Sequence, residues 1–329
     1  MKEAASRPEV IEVTEVEQRV DRDVSVRLTK ERWRIGELSL VRKYAVRGGP
    51  PVVLVHGFAQ NRYTWHTSRR SMSAWLAARG YDVYNLELRG HGNSRGGSSA
   101  DKFENYVDDL VQVATTLGEP AFWLGHSLGG AVVYAGATRV PMRGIVGIGA
   151  LFSFAQHNAA LNALCQLTEA LRGKRIFGAL NLRTRLAGRV LSRLYALSDL
   201  AGYTFPISGW APGSMEPELL AERLEHGFDW TSAEVWFEMA RWGVRGTFSY
   251  ADAWKSVRAP LLVIGGDLDH LMLPDDARVA YDQSESPDKT WTLLDDWHTG
   301  HHWGHLDLLL GRHAPTVSWP LIADWMASR

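Results

Sequence analysis

Five consecutive residues, Gly125-His126-Ser127-Leu128-Gly129, set a hydroxyl between glycines two places to either side. A serine hydroxyl is a poor nucleophile until a base takes its proton and its oxygen is held exposed. A sharp strand-to-helix turn achieves the exposure, and small residues two before and two after the serine relieve the crowding of such a turn. The chemistry on offer is acyl transfer through a covalent intermediate. Spacing alone does not single out this serine, because Gly92-Asn93-Ser94-Arg95-Gly96 matches it too. The flanks separate the two. Apolar Ala121-Phe122-Trp123-Leu124 runs into Gly125, and Leu128 to Ala135 continues as a helix with a small-residue face. Ser94 is followed by Gly97-Ser98-Ser99-Ala100-Asp101, a polar loop with no helix to complete a turn. Ser127 is therefore the candidate nucleophile and Ser94 a loop residue.

Such a serine needs a base and an oxyanion site, so the fold must bring distant segments to one edge. From residue 52 onward, short apolar runs alternate with helical stretches. The runs are 52–55, 81–88, 121–124, 145–148 and 261–264, with 290–294 as a last strand. Uninterrupted apolar runs are the pattern of parallel strands buried on both faces. Candidate helices lie at 65–79, 103–117, 128–139, 275–283 and 316–327. The alternation predicts an α/β fold with a doubly wound, mostly parallel sheet and right-handed crossovers. Ahead of it, Val24–Leu28 and Leu38–Tyr44 alternate in polarity and predict an antiparallel hairpin at a sheet edge. Residues 1–22 read as an N-terminal arm or an edge strand. Between 152 and 252 no parallel-strand run appears, which predicts a helical cap inserted between core segments 23–151 and 253–329. The cap should cover the carboxyl ends of the strands, where open α/β sheets bind ligands.

Four motifs in order extend this reading: Val55-His56-Gly57-Phe58, Arg89-Gly90-His91-Gly92-Asn93-Ser94, Gly125 to Gly130, and Gly266-Asp267-Leu268-Asp269. With them the chain resembles the α/β-hydrolase superfamily from about residue 24 to 329. The tail Trp303-Gly304-His305-Leu306-Asp307-Leu308-Leu309-Leu310-Gly311, then Ala314-Pro315, is similar to the histidine region of acid lipases and polyhydroxyalkanoate synthases. The synthases carry cysteine at the turn, so Ser127 favours hydrolysis over polymerisation. Dehalogenases and epoxide hydrolases carry aspartate there.

The resemblance implies the chain order serine, acid, histidine. Asp269 and His305 follow late strands and would project from the same sheet edge as Ser127. Asp267 competes for the acid role; the spacing after Gly266 matches the family for Asp269 and leaves Asp267 to a turn. Among His298, His301, His302 and His305, the last precedes an apolar run that reads as a helix and matches the lipase-like tail. The four imidazoles invite a zinc site. Gly300 and Gly304 interrupt the segment and no separate carboxylate motif supports it, so no metal and no cofactor are expected. The amide of Leu128 is the natural first oxyanion donor, and the resemblance supplies that of Phe58 as the second. His56-Gly57 also reads as a tight strand exit with a satisfied histidine, and Arg89-Gly90-His91-Gly92 as a bracing loop.

The stretch 228–254 carries Phe228, Trp230, Trp236, Phe237, Met239, Trp242, Phe248 and Trp254. Most of this is read as the core of the cap, with Trp236, Phe237 and Trp242 as candidates to line an acyl pocket. Residues 172–193 hold seven cationic and no acidic residues, interleaved with apolar ones. That stretch reads as a solvated face, with contact to an anionic substrate or a peripheral membrane surface as the alternative. A net charge of -1 gives no global reason to expect nucleic acid. No apolar run reaches the roughly 18 residues of a membrane span. One cysteine, Cys165, and a charged beginning predict a cytoplasmic protein. The expected partner is a small-molecule ester or acyl substrate, and the expected activity lipase- or esterase-like. Acyl transfer or acyl-CoA thioester hydrolysis by the same residues, and non-catalytic ligand binding on the same fold, are the alternatives.

Overall fold

A computed structural model describes residues 8–172, 181–183 and 209–329. Nine strands form one sheet: β1 (Glu9–Asp21), β2 (Val24–Ile35), β3 (Leu38–Tyr44), β4 (Pro51–Val55), β5 (Asp82–Glu87), β6 (Phe122–His126), β7 (Gly144–Ile148), β10 (Leu261–Gly266) and β11 (Lys289–Leu294). Between β7 and β10, β8 (Asn181–Arg183) and β9 (Trp230–Ser232) pair as a separate antiparallel ribbon. The order across the large sheet is β1-β2-β3-β5-β4-β6-β7-β10-β11. From β5 to β11 every neighbouring pair is parallel.

The apolar runs become strands because alternate residues feed two different cores. Val53, Val55, Trp123, Ile145 and Val263 enter one layer, and Val52, Leu54, Phe122, Leu124, Val146, Ile148, Leu262 and Ile264 the other. At period two, a strand buried on both faces is apolar throughout. The longer helices among the described residues are α1 (Met72–Ala78), α2 (Phe103–Leu117), α3 (Leu128–Gly136), α4 (Ala159–Arg172), α5 (Pro217–His226), α6 (Ala233–Arg245), α7 (Pro274–Gln283) and α8 (Ser318–Ala327).

Three sequence expectations change. The β2–β3 hairpin is present, but it does not form the edge of the sheet. Residues 9–21, read as an arm or an edge strand, pair along β2 as β1 and occupy that edge. The first helix starts at Met72 instead of 65. Thr67 closes a turn by donating its amide to the Arg70 carbonyl at 2.7 Å, and Ser71 caps the helix by accepting from the Ala74 amide. Among its described residues, the segment between β7 and β10 holds helices and also the β8–β9 ribbon. No helix among the described residues is long and apolar enough to cross a membrane.

The chain leaves β4 toward β5 on one side, while β6 pairs on the other. Such a reversal opens a crevice at the carboxyl ends of the two strands. His56-Gly57-Phe58 leaves β4 there and Ser127 leaves β6.

Candidate active site

Ser127 stands between β6 and α3 with φ 57° and ψ −126°, one of three non-glycine residues at positive φ among those described. For a residue with a Cβ this conformation costs of order 1–3 kcal/mol and persists only where surrounding bonds impose it. They do here. Ser127 donates its amide to the Ile148 carbonyl at 3.1 Å, and its own carbonyl accepts from Gly130 and Leu151. Gly129 permits the close passage of α3 past β4, since a Cβ there would lie 2.4 Å from the main-chain oxygens of Val55 and His56.

Asp269 follows β10 and is fully buried. One of its oxygens accepts from the amides of Leu271 and Met272 at 3.0 and 2.8 Å. The other lies 2.7 Å from Nδ1 of His305, a residue 1% exposed. Bonding at Nδ1 leaves Nε2 as the ring position for proton exchange. Gly149, at the end of β7, makes room for the pair: a Cβ there would sit 2.9 Å from Oδ2 of Asp269 and 3.1 Å from Nδ1 of His305.

Other sequence candidates go elsewhere. Asp267 is bonded to His302 Nδ1 at 2.5 Å and accepts the Trp303 amide at 2.8 Å, so it shapes the loop. His298 pairs with Asp295, while His301 stacks on His313 with ring centroids 3.4 Å apart. The tail imidazoles thus do not share one centre. Asp267, Asp296 and His302 place one ligand atom each within 4.8 Å of one another, and two of these residues are exposed. Ser94 donates to the Glu87 carbonyl at 2.5 Å and accepts the Ser39 amide at 2.7 Å, and this structural pairing occupies its hydroxyl.

Gly57 lies against the nucleophile, its Cβ position only 2.9 Å from Cβ of Ser127. The next residue is Phe58. The amide of Leu128, first in α3, has no acceptor one helical turn back, and neither it nor the Phe58 amide bonds another backbone group among the described residues. Both remain free to meet an anion. His56 accepts the Leu88 amide on Nε2 at 3.1 Å, so its Nδ1–H donates to the Gly57 carbonyl at 2.9 Å. Burial, with help from neighbouring His91, holds this imidazole well below its ordinary pKa and therefore neutral.

The aromatic residues of 228–254 divide. Trp236 packs its ring 6.0 Å from Phe58, beside the site. Trp242 crosses Phe103 and Phe248 edge-on at 4.8 and 5.2 Å and belongs to the core between α6 and α2. Phe237 is buried with the Arg172 guanidinium 5.4 Å away. Most of the basic stretch 172–193 lies outside the described residues; Arg172 itself pairs with Glu234 and Glu169. His126, which sequence reasoning did not single out, adjoins the candidate site. Its Nε2 bonds the main-chain oxygen of His305 at 3.0 Å, and burial, with a smaller contribution from its His305 neighbour, pushes its pKa well down.

A sequence profile of the alpha/beta hydrolase family matches residues 52–317. (E)-2-((N-methylformamido)methylene)succinate hydrolase of Acinetobacter baylyi is 23% identical over 224 residues, 66% of this chain and 72% of that one. Epoxide hydrolase B of Mycobacterium tuberculosis is 38% identical over 110 residues, which are 32% of this chain and only 30% of that protein. Among solved structures, the monoacylglycerol lipase of Paleococcus ferrophilus superposes with a TM-score of 0.63 at 21% identity. That match covers 89% of this chain and 99% of the lipase.

Proposed function

The chain belongs to the alpha/beta hydrolase family, and from that premise we propose that it cleaves a carboxylic ester through an acyl-enzyme on Ser127. The observation that carries this reading is the 2.7 Å bond from His305 to a buried Asp269, in the loops after β11 and β10, at the same carboxyl edge of the parallel strands from which the strained Ser127 leaves β6. In the proposed reaction, Nε2 of His305 takes the Ser127 proton as Oγ attacks the ester carbonyl, and then protonates the departing alkoxide. Asp269 holds the imidazole by Nδ1 and stabilises its charged form. The amides of Leu128 and Phe58 receive the oxyanion. Water then repeats the sequence on the acyl-enzyme and releases the acid.

Residues 152–252 act as the cap in this reading, with Trp236 presenting an apolar wall to the substrate. Epoxide opening is disfavoured by a serine at the turn. Acyl transfer or thioester hydrolysis would use the same residues. The single thiol, Cys165, is buried and unpaired, which fits action in the cytoplasm. A fluorophosphonate probe should label the wild type and fail on Ser127→Ala. Labelling that persists in the variant, or that maps to Ser94, overturns the assignment.

A further inference from the structure

Among the described residues, three buried arginines invite comparison. Arg42 is paired with Glu31 and Asp82, and Arg70 with Asp21 and Glu216. Arg223, on α5, is 1% exposed and has no carboxylate oxygen within 4 Å among the described residues. Its Nη2 donates to Thr64 Oγ1 at a long 3.3 Å, while Nη1 has no partner. Leaving a charge buried without a counter-ion costs several kcal/mol, and this fold avoids that cost at the other two sites. Burial lowers the pKa of Arg223 to about 10, so the cation persists at neutral pH.

The location is as telling as the missing partner. Thr64 Oγ1, which receives Nη2, donates in turn to Gln60 Oε1 at 2.8 Å. That oxygen is 3.2 Å from the Cβ position of Gly57, which itself adjoins Ser127. The guanidinium lies 5.8 Å over the Phe228 ring, and its charge is felt at His56 and His126, which flank the site. Gly227 leaves it space, for a Cβ there would fall 1.7 Å from Nη1.

We propose that Arg223 binds a carboxylate carried by the substrate, so that the preferred ester is one whose acyl or alcohol part ends in a free acid. A single planar guanidinium whose Nη1 has no partner suits a monoanionic carboxylate. A phosphate would call for further cations. This inference rests on the ester-hydrolase reading of Ser127, and its test separates the two.

4-Nitrophenyl hemisuccinate and 4-nitrophenyl butyrate have acyl chains of the same carbon count and differ in the terminal carboxylate. Wild type should favour the hemisuccinate in kcat/KM, and Arg223→Met should lower the hemisuccinate-to-butyrate ratio by about tenfold to a hundredfold, as for loss of a hydrogen bond to a charged group. Arg223→Lys should retain part of the preference. Millimolar succinate should also slow fluorophosphonate labelling of wild-type Ser127, a measurement that needs no folded variant. Turnover of the butyrate and labelling of Ser127, with neither a hemisuccinate preference nor protection by succinate, would overturn this inference and leave the hydrolase reading standing. Absence of both turnover and labelling would remove the hydrolase reading, and this inference with it.

Discussion

His126 Nε2 lies 3.0 Å from the main-chain oxygen of His305, and the two rings are 4.4 Å apart. A carbonyl oxygen only accepts, so Nε2 of His126 carries the proton. The residue before the proposed nucleophile thereby fixes the backbone of the proposed base, tying β6 to the loop after β11. His126→Phe should leave that carbonyl unsatisfied at a cost of about 1–3 kcal/mol. Displacement of the imidazole should lower kcat by about tenfold to a hundredfold with little change in KM. Gln at 126 reaches the same point with an amide donor and should recover most of kcat. Steady-state kinetics on a nitrophenyl ester and urea unfolding measure both effects. A Gln variant no better than Phe would show that His126 merely fills space.

The two aspartates after β10 should respond very differently to the same change. Asn at 269 keeps the shape but removes the acceptor that holds the Nδ1–H tautomer of His305, and kcat should fall by about 10⁴-fold. Asn at 267 disturbs only a partly exposed pair with His302, worth about 1 kcal/mol or less, and kcat should stay within about threefold. Equal losses in the two variants would contradict the division of roles.

What the sequence discloses here follows from local pattern. The parallel strands are legible because they are buried on both faces, and Ser127 is legible because the turn around it demands glycines at fixed offsets. Ser94 has the same offsets, and only its flanks reveal that its hydroxyl is spent on Glu87 and Ser39. The edge strand β1 is harder to read. Its early residues are exposed on both faces, so no alternation toward a core marks it, and its pairing depends on β2. His126 and Arg223 are isolated buried polar side chains whose meaning lies in partners up to 179 positions away. No periodicity announces them. Nor does composition separate Trp236, beside Phe58, from Trp242, six residues on and facing α2.

Asp307 offers a test that does not depend on catalysis. It is 1% exposed and accepts the amides of Gly304 and Ala211 at 2.8 and 3.4 Å, fastening the loop that delivers His305. Burial pushes its carboxyl up from 3.8 to about 6. The folded protein therefore holds this proton more tightly than the unfolded chain. As pH rises from about 4 to 6, the unfolded state ionises first and stability falls; above that range the loss is constant. At about 1.4 kcal/mol per unit, the full loss approaches 3 kcal/mol. Asn at 307 can still accept the Gly304 amide and has no proton to lose. Relative to wild type, Asp307→Asn should therefore gain up to about 3 kcal/mol between pH 4 and pH 8, read from urea unfolding across that range. A difference between the two proteins that stays flat with pH would mean that Asp307 ionises as freely in the fold as out of it.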